Sequence, residues 1–249
     1  VDKQNIIQKA KQGFEKSFAE KNFYDKQTKD DKHLESILNT LKIKEGDKIL
    51  DLGTGSGYLA FAIAKKYPKC SVVGLDIVTK TLEQNKLSAL EQGINNLIFT
   101  DYNGINLPFE DNTFDCVVTR YVLHHVPDIQ YTFDEISRVL KPSGCFFLSD
   151  PTPNSLDTHR FVDSYMQLQN DGHNKFYTLN EFLDYADNSA MERENSYLTT
   201  IRFPRKTDET YIALINKTDN AIKQAYKIEI IGDECFIVED VLNMAFRKT

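Results

Sequence analysis

Apolar residues recur along this chain with two different periods. In the polar first stretch, Ile6, Ile7, Ala10, Phe14 and Phe18 fall at helical spacing, so residues 1–32 predict an amphipathic helix with its lysines on the solvated face. An aromatic pair, Phe23 and Tyr24, follows. Leu34, Ile37, Leu38 and Leu41 share one stripe and predict a second helix over 33–43. From residue 47 short apolar runs alternate with helical patterns. Strands are expected at 47–53, 71–76, 96–100, 114–120 and 145–149, and helices at 58–67, 79–92 and 127–140. Lys141-Pro-Ser-Gly144 predicts a turn. Apolar strands separated by helices predict a parallel sheet covered on both faces.

After Asp150 the alternation stops. Residues 151–155 (PTPNS) read as a break, and 156–170 as a helix. Thr178-Leu-Asn-Glu181 has the form of a capping box and should open another helix. A strand near 197–203, a helix near 209–225 and a hairpin turning at Gly232-Asp233, with arms near 227–231 and 235–247, complete the pattern.

Length and charge narrow the class. The chain has 249 residues, enough to bury a sizeable core, and it begins with Val, so an initiator Met or tag is expected to be missing. No apolar stretch has the length of a membrane span or the form of a signal-peptide core. Cys70, Cys116, Cys145 and Cys235 lie far apart with no C-x-x-C, which opposes a disulfide framework or zinc site and fits a reducing cytoplasm. A net charge of −7 opposes a broad nucleic-acid or anionic-membrane surface. Oligomeric state is not legible.

The strongest local signal is Asp51-Leu-Gly53-Thr54-Gly55-Ser-Gly57, where a buried strand turns into a helix. Glycines there permit positive φ and a close approach of ligand to backbone, and the helix start presents unpaired N–H groups. A tight strand-to-helix turn without a ligand is the plainer reading. Asp76 ends the second strand 25 residues after Asp51, where one carboxylate can take two ribose hydroxyls or simply cap a helix. The third glycine of a dinucleotide fingerprint would fall at position 58, which is Tyr58.

The run ILDLGTGSGYLAFAIA, then VVGLD, then LPFEDNTFDCVVTRYVLHHVPD, then ISRVLKPSGCFFLSD resembles the class I S-adenosylmethionine-dependent methyltransferases. More narrowly it is similar to the ubiquinone/menaquinone C-methyltransferase branch (methyltransferase type 11), over about residues 45–150. The resemblance implies an α/β, Rossmann-like three-layer sandwich. Its sheet is mostly parallel and seven-stranded, with one antiparallel strand and a helical cap. Residues 1–44 would be N-terminal helices belonging partly to the cap, 45–150 the cofactor-binding core, and 151–249 cap insertions and final strands.

Carried over by position, the resemblance places Asp51, Thr54 and the backbone of Gly53, Gly55 and Gly57 around the methionine part of S-adenosyl-L-methionine. Asp76 would hold the ribose, and Ile77 would pack on the adenine. Where the family places an adenine-reading Asp, this chain has Asn103 followed by Gly104, with Asp101 competing for the role. Arg120 would offer a backbone carbonyl. His125 first and His124 second are the candidate proton acceptors, against a packing role for either. His173 would contact the acceptor or be a surface loop histidine.

No metal-ligand spacing is present. Asp115 and the phenylalanines at 99, 109, 114, 146 and 147 read as structural. The expected activity is in-line transfer of a methyl group to a small-molecule acceptor. A nicotinamide-dependent oxidoreductase and a non-catalytic cofactor-binding protein are the alternatives. Cap aromatics at 161, 165, 176, 177, 182 and 185 suggest either a partly apolar acceptor or internal packing.

Overall fold

A computed structural model describes residues 3–19, 28–169 and 171–249. Phe23 and Tyr24, the side chain of Phe18, and Asn170 at the end of one expected helix lie outside the described residues. Helices α1 (Lys3–Ala19) and α2 (Asp31–Thr40) precede the alternating core. The core runs β1 (Lys48–Leu52), α3 (Tyr58–Lys66), β2 (Ser71–Asp76), α4 (Thr79–Glu91), β3 (Leu97–Asp101) and β4 (Phe114–Arg120). A 3₁₀ turn at Leu123–His125, α5 (Ile129–Val139) and β5 (Leu140–Thr152) follow. Then come α6 (Phe161–Gln167), α7 (Leu179–Asn188), β6 (Met191–Lys206), α8 (Glu209–Lys217), α9 (Asn220–Ala225), β7 (Glu229–Ile231) and β8 (Glu234–Lys248).

The sheet order is β3-β2-β1-β4-β5-β8-β6, with β7 also paired to β8. Strands β1 to β5 are parallel, and β8 runs antiparallel to its neighbours β5, β6 and β7. The expected mostly parallel sheet with one antiparallel strand is therefore present. Short β7 is an addition to the expected seven. It pairs with Glu234–Phe236, beyond the segment of β8 that pairs with β5. One apolar layer, around Leu50, Phe133, Phe146 and Phe246, lies on one face of the sheet. A second, around Ile37, Ile63, Leu82 and Phe147, lies on the other. A third cluster joins Phe161 and Tyr165 of α6 to Phe176, Tyr226, Tyr211 of α8 and Ile237 of β8.

Several boundaries differ from the sequence pattern, each for a local reason. Residues 141–144 continue β5 through a bulge, with Ser143 at φ +62° and a register shift opposite Phe114–Cys116. Lys141 Nζ is fixed there on the Asp115 carboxylate at 2.7 Å, so Asp115 is structural. Pro151 and Thr152 remain in β5, because β8 pairs with them. The helix expected from 156 starts only at Phe161: Asp157 accepts from the N–H groups of Phe161 (2.7 Å) and Val162 (2.9 Å), and Arg160 is left-handed at φ +59°. The 209–225 helix breaks at Thr218–Asp219, where Thr218 is extended. The capping box forms as written, with Thr178 and Glu181 bonding reciprocally at the start of α7. Among the described residues no helix is long and apolar enough to cross a membrane.

Candidate active site

The carboxyl ends of the strands lie along one edge in the order of the sheet. The sheet's order reverses between β1 and β4, where open α/β folds take their ligands. A cleft opens here. Tyr102 follows β3 in its wall, Asp76 and Ile77 come from the end of β2, Asp51 and Gly53 from β1, and Arg120 and Tyr121 from β4. Helix α1 lies against it through Ile7, Ala10 and Phe14.

The glycine turn is a rigid frame. Gly53 has φ +70°, and a Cβ there would stand 2.3 Å from Val122, so this glycine lets the turn after β1 and the turn after β4 touch. Its amide donors are already used: Gly53 and Thr54 donate to the Leu75 carbonyl, Gly57 to Thr54, and Gly55 to Asp76 Oδ2 at 2.8 Å. Buried Asn85 holds the Gly55 carbonyl at 2.8 Å. Gly57 does not reach the cleft; it starts α3. The turn therefore presents no unpaired N–H group from Gly53, Thr54, Gly55 or Gly57.

Asp51 is 2% exposed. Its Oδ2 accepts from Thr54 Oγ1 (2.7 Å) and Ala60 N (3.0 Å), and its Oδ1 has no hydrogen-bond partner among the described residues. Burial pushes its pKa up to about 7, with Asp76 adding to the shift and Arg120 opposing it. Asp76, raised by burial, accepts from Gly55 and from Val78 N (3.0 Å). Arg120 lines the cleft, and its side chain is fixed there. The guanidinium donates to the Thr28 carbonyl, lies over the rings of Tyr58 (5.0 Å) and Tyr121 (4.0 Å), and keeps Nε unpartnered among the described residues. Asp101 and Asn103 are both exposed and absent from the cleft wall, while Gly104 is in it. Asn103 Oδ1 accepts from Ile105 N (2.9 Å) and Asn106 N (2.8 Å), so its own turn uses the oxygen expected to read an adenine. Sequence reasoning missed Tyr102 and Asn85, whose places depend on how β3 and α4 pack.

A second chamber adjoins the first and shares Phe14, Thr28, Tyr121 and His125 with it. Tyr121 sits at φ +60°, a strained conformation for an aromatic residue, held where the two cavities meet. His125 packs edge-on against Phe14 at 4.9 Å between ring centroids. Burial, helped by His124, pushes its pKa down to about 3, so the ring is neutral. His124 lines only the second chamber, and its Nδ1 lies 2.6 Å from Asp150 Oδ1. The other Asp150 oxygen accepts from Val122 N and Leu123 N, both at 3.0 Å. Burial lowers the His124 pKa well below its ordinary value and raises that of Asp150 to about 7. His173 is buried on Asp163 at 3.0 Å, so it is not a surface histidine, and it lines neither of these two cavities. Of the cap aromatics singled out in the sequence, Phe176 reaches the second chamber, and the others are packing residues. No cluster of three or more potential metal ligands occurs among the described residues.

Comparison with known proteins agrees with this arrangement. Residues 43–183 match the methyltransferase-domain family. The chain belongs to that family. The class I methyltransferase resemblance thus holds, and neither a nicotinamide-dependent oxidoreductase nor a non-catalytic binding protein gains support.

The methyltransferase domain is 30% identical over 147 residues to the uncharacterized methyltransferase YcgJ of Bacillus subtilis, covering 59% of this chain and 57% of that one. It is 37% identical over 129 residues to the ubiquinone/menaquinone biosynthesis C-methyltransferase UbiE of Desulfotalea psychrophila, covering 50% and 51%. The chain spans about half the length of these curated relatives. The crystal structure of Bacillus subtilis YcgJ superposes with a TM-score of 0.77 at 22% identity, over 88% of this chain and 99% of that one, and shares the fold.

Proposed function

We propose that this methyltransferase domain moves a methyl group from S-adenosyl-L-methionine to a small-molecule acceptor. The observation that carries the reading is the junction of two cavities at Phe14, Thr28, Tyr121 and His125, over the carboxyl ends of the strands. The relative named for ubiquinone and menaquinone biosynthesis supports a small-molecule acceptor. In this reading residues 45–150 hold the donor, while 1–44 and 151–249 supply the cap and the remaining strands. Cytoplasmic residence belongs to the same proposal and fits four buried, unpaired cysteines.

The cleft suits the donor chemically. Asp51, buried with one oxygen unpartnered among the described residues, meets an α-ammonium group. Arg120 meets the α-carboxylate, a role the occupied turn amides do not fill. Asp76 accepts from ribose hydroxyls, and Ile77, Tyr102 and Gly104 bound the adenine. When bound, S-adenosylmethionine supplies a sulfonium-activated methyl group. The chain's contribution is then mainly to align the acceptor with it and exclude water, and alignment alone accounts for roughly 7–11 kcal/mol of barrier in well-oriented reactions.

Where the acceptor loses a proton, His124 takes it. Its Nδ1–H donates to Asp150, whose other oxygen is fixed by two backbone amides, and this places the lone pair on Nε2 of a ring lining the acceptor chamber. His125 walls the methyl's path. This geometry favours the reverse of the order expected from sequence.

The test is calorimetry with S-adenosylhomocysteine, followed by a search for its production from S-adenosylmethionine and a panel of small acceptors. Absence of binding at about 1 mM, an affinity too weak for the proposed contacts, defeats the reading.

A further inference from the structure

The acceptor chamber contains charged groups that methyl transfer does not use. β5 pairs with β8 only as far as Asp240, but the β6–β8 ladder continues to Lys206 opposite Glu234. Arg205 and Glu239 stand on this overhang and line the chamber. Arg205 is 8% exposed and Glu239 is 3% exposed.

The Arg205 guanidinium has poor partners. Among the described residues it reaches the Met166 sulfur at 3.5 Å, the Asp171 carboxylate only at 4.0 Å, and the face of Phe203 at 4.6 Å, while its Nε has no partner. Glu239 Oε1 is likewise unpartnered among them. A buried guanidinium without an oxygen acceptor is costly, and its planar fork matches a carboxylate. The chamber wall carries Lys9, Lys16 and Arg205 against Asp171 and Glu239, a positive surplus in a chain of net charge −7. Phe14, Ile201, Phe203, Met166 and Phe176 provide apolar walls.

We infer that the methyl acceptor is an organic acid with an apolar body, its carboxylate held by the Arg205 fork and Glu239 hydrogen-bonding to it as a neutral acid. This inference rests on the methyl-transfer reading above. Burial already pushes the Glu239 pKa up to about 7, and an anion bound to Arg205 pushes it further in the same direction. A singly charged carboxylate suits one guanidinium with two carboxyl groups nearby better than a dianionic phosphate does.

The test uses the full chain saturated with S-adenosylhomocysteine. Benzoate, phenylacetate and octanoate, each against its primary amide, are titrated up to about 10 mM. At least one acid should bind about tenfold or more tightly than its amide. Arg205→Gln should abolish that difference while S-adenosylhomocysteine affinity stays unchanged, and Glu239→Gln, a neutral donor, should keep it within about threefold. The wild-type acid–amide comparison stands even if a variant fails to fold. No acid binding, equal binding of acid and amide, or loss of acid affinity in Glu239→Gln overturns the inference. Failure to bind S-adenosylhomocysteine at all overturns instead the methyl-transfer reading beneath it.

Discussion

Asp51 makes donor affinity depend on pH in a way that can be worked out in advance. In the empty cleft its pKa is raised from 3.8 to about 7, chiefly by burial. Meeting an ammonium group requires the carboxylate form. Above pH 7 that form already predominates and affinity is level. Below it, ionising Asp51 costs about 1.4 kcal/mol per pH unit, so affinity for S-adenosylhomocysteine should fall roughly tenfold per unit. Near pH 6, binding should release close to one proton, readable by calorimetry in two buffers of different ionisation enthalpy. Asp51→Asn removes the titrating group. Its affinity should be about tenfold or more below wild type at pH 8, from loss of a charged hydrogen bond. It should also be nearly flat with pH, so that a variant about tenfold weaker at pH 8 meets the wild-type curve near pH 6. A wild-type protein with no slope, or an Asn variant that keeps it, refutes the assignment of Asp51 to the ammonium.

Asp76→Ala should weaken S-adenosylhomocysteine about tenfold or more at pH 8, as calorimetry would register, and move the onset of the slope to lower pH, because Asp76 adds to the raised Asp51 pKa. His124→Ala and Asp150→Asn should each lower turnover about 10²–10³-fold with donor affinity within a few-fold of wild type, provided the acceptor loses a proton. If His125→Ala alone has that effect, the order of the two histidines is the one expected from sequence. Gly53→Ala should cost a few kcal/mol in a denaturant melt, because the new Cβ meets Val122 at 2.3 Å in a left-handed conformation. Adding Val122→Ala should recover part of that loss, because the two shortest contacts, 2.3 Å and 2.7 Å, are with the Val122 γ-methyl groups.

The sequence by itself determined the alternating core, because apolar period and turn chemistry are local. β2 and β4 occupy the expected residues, and the capping box at Thr178–Glu181 forms. Asp51, Thr54, Asp76, Ile77 and Gly104, all singled out from the sequence, line one cleft, since a short turn at a strand's end faces the sheet's carboxyl edge whatever packs around it. Tertiary structure decided how those groups are used. The turn's amides are taken by Leu75 and Asp76, and Asn103 is taken by its own turn, facts that depend on hydrogen-bond partners and exact placement rather than residue type. Only the end of β5 beside the turn after β4 pairs Asp150 with His124, residues 26 positions apart. Arg205 and Glu239 carried no motif. They share a chamber because an antiparallel ladder outruns its neighbour, and ladder length and register are set by strand pairing across the sheet.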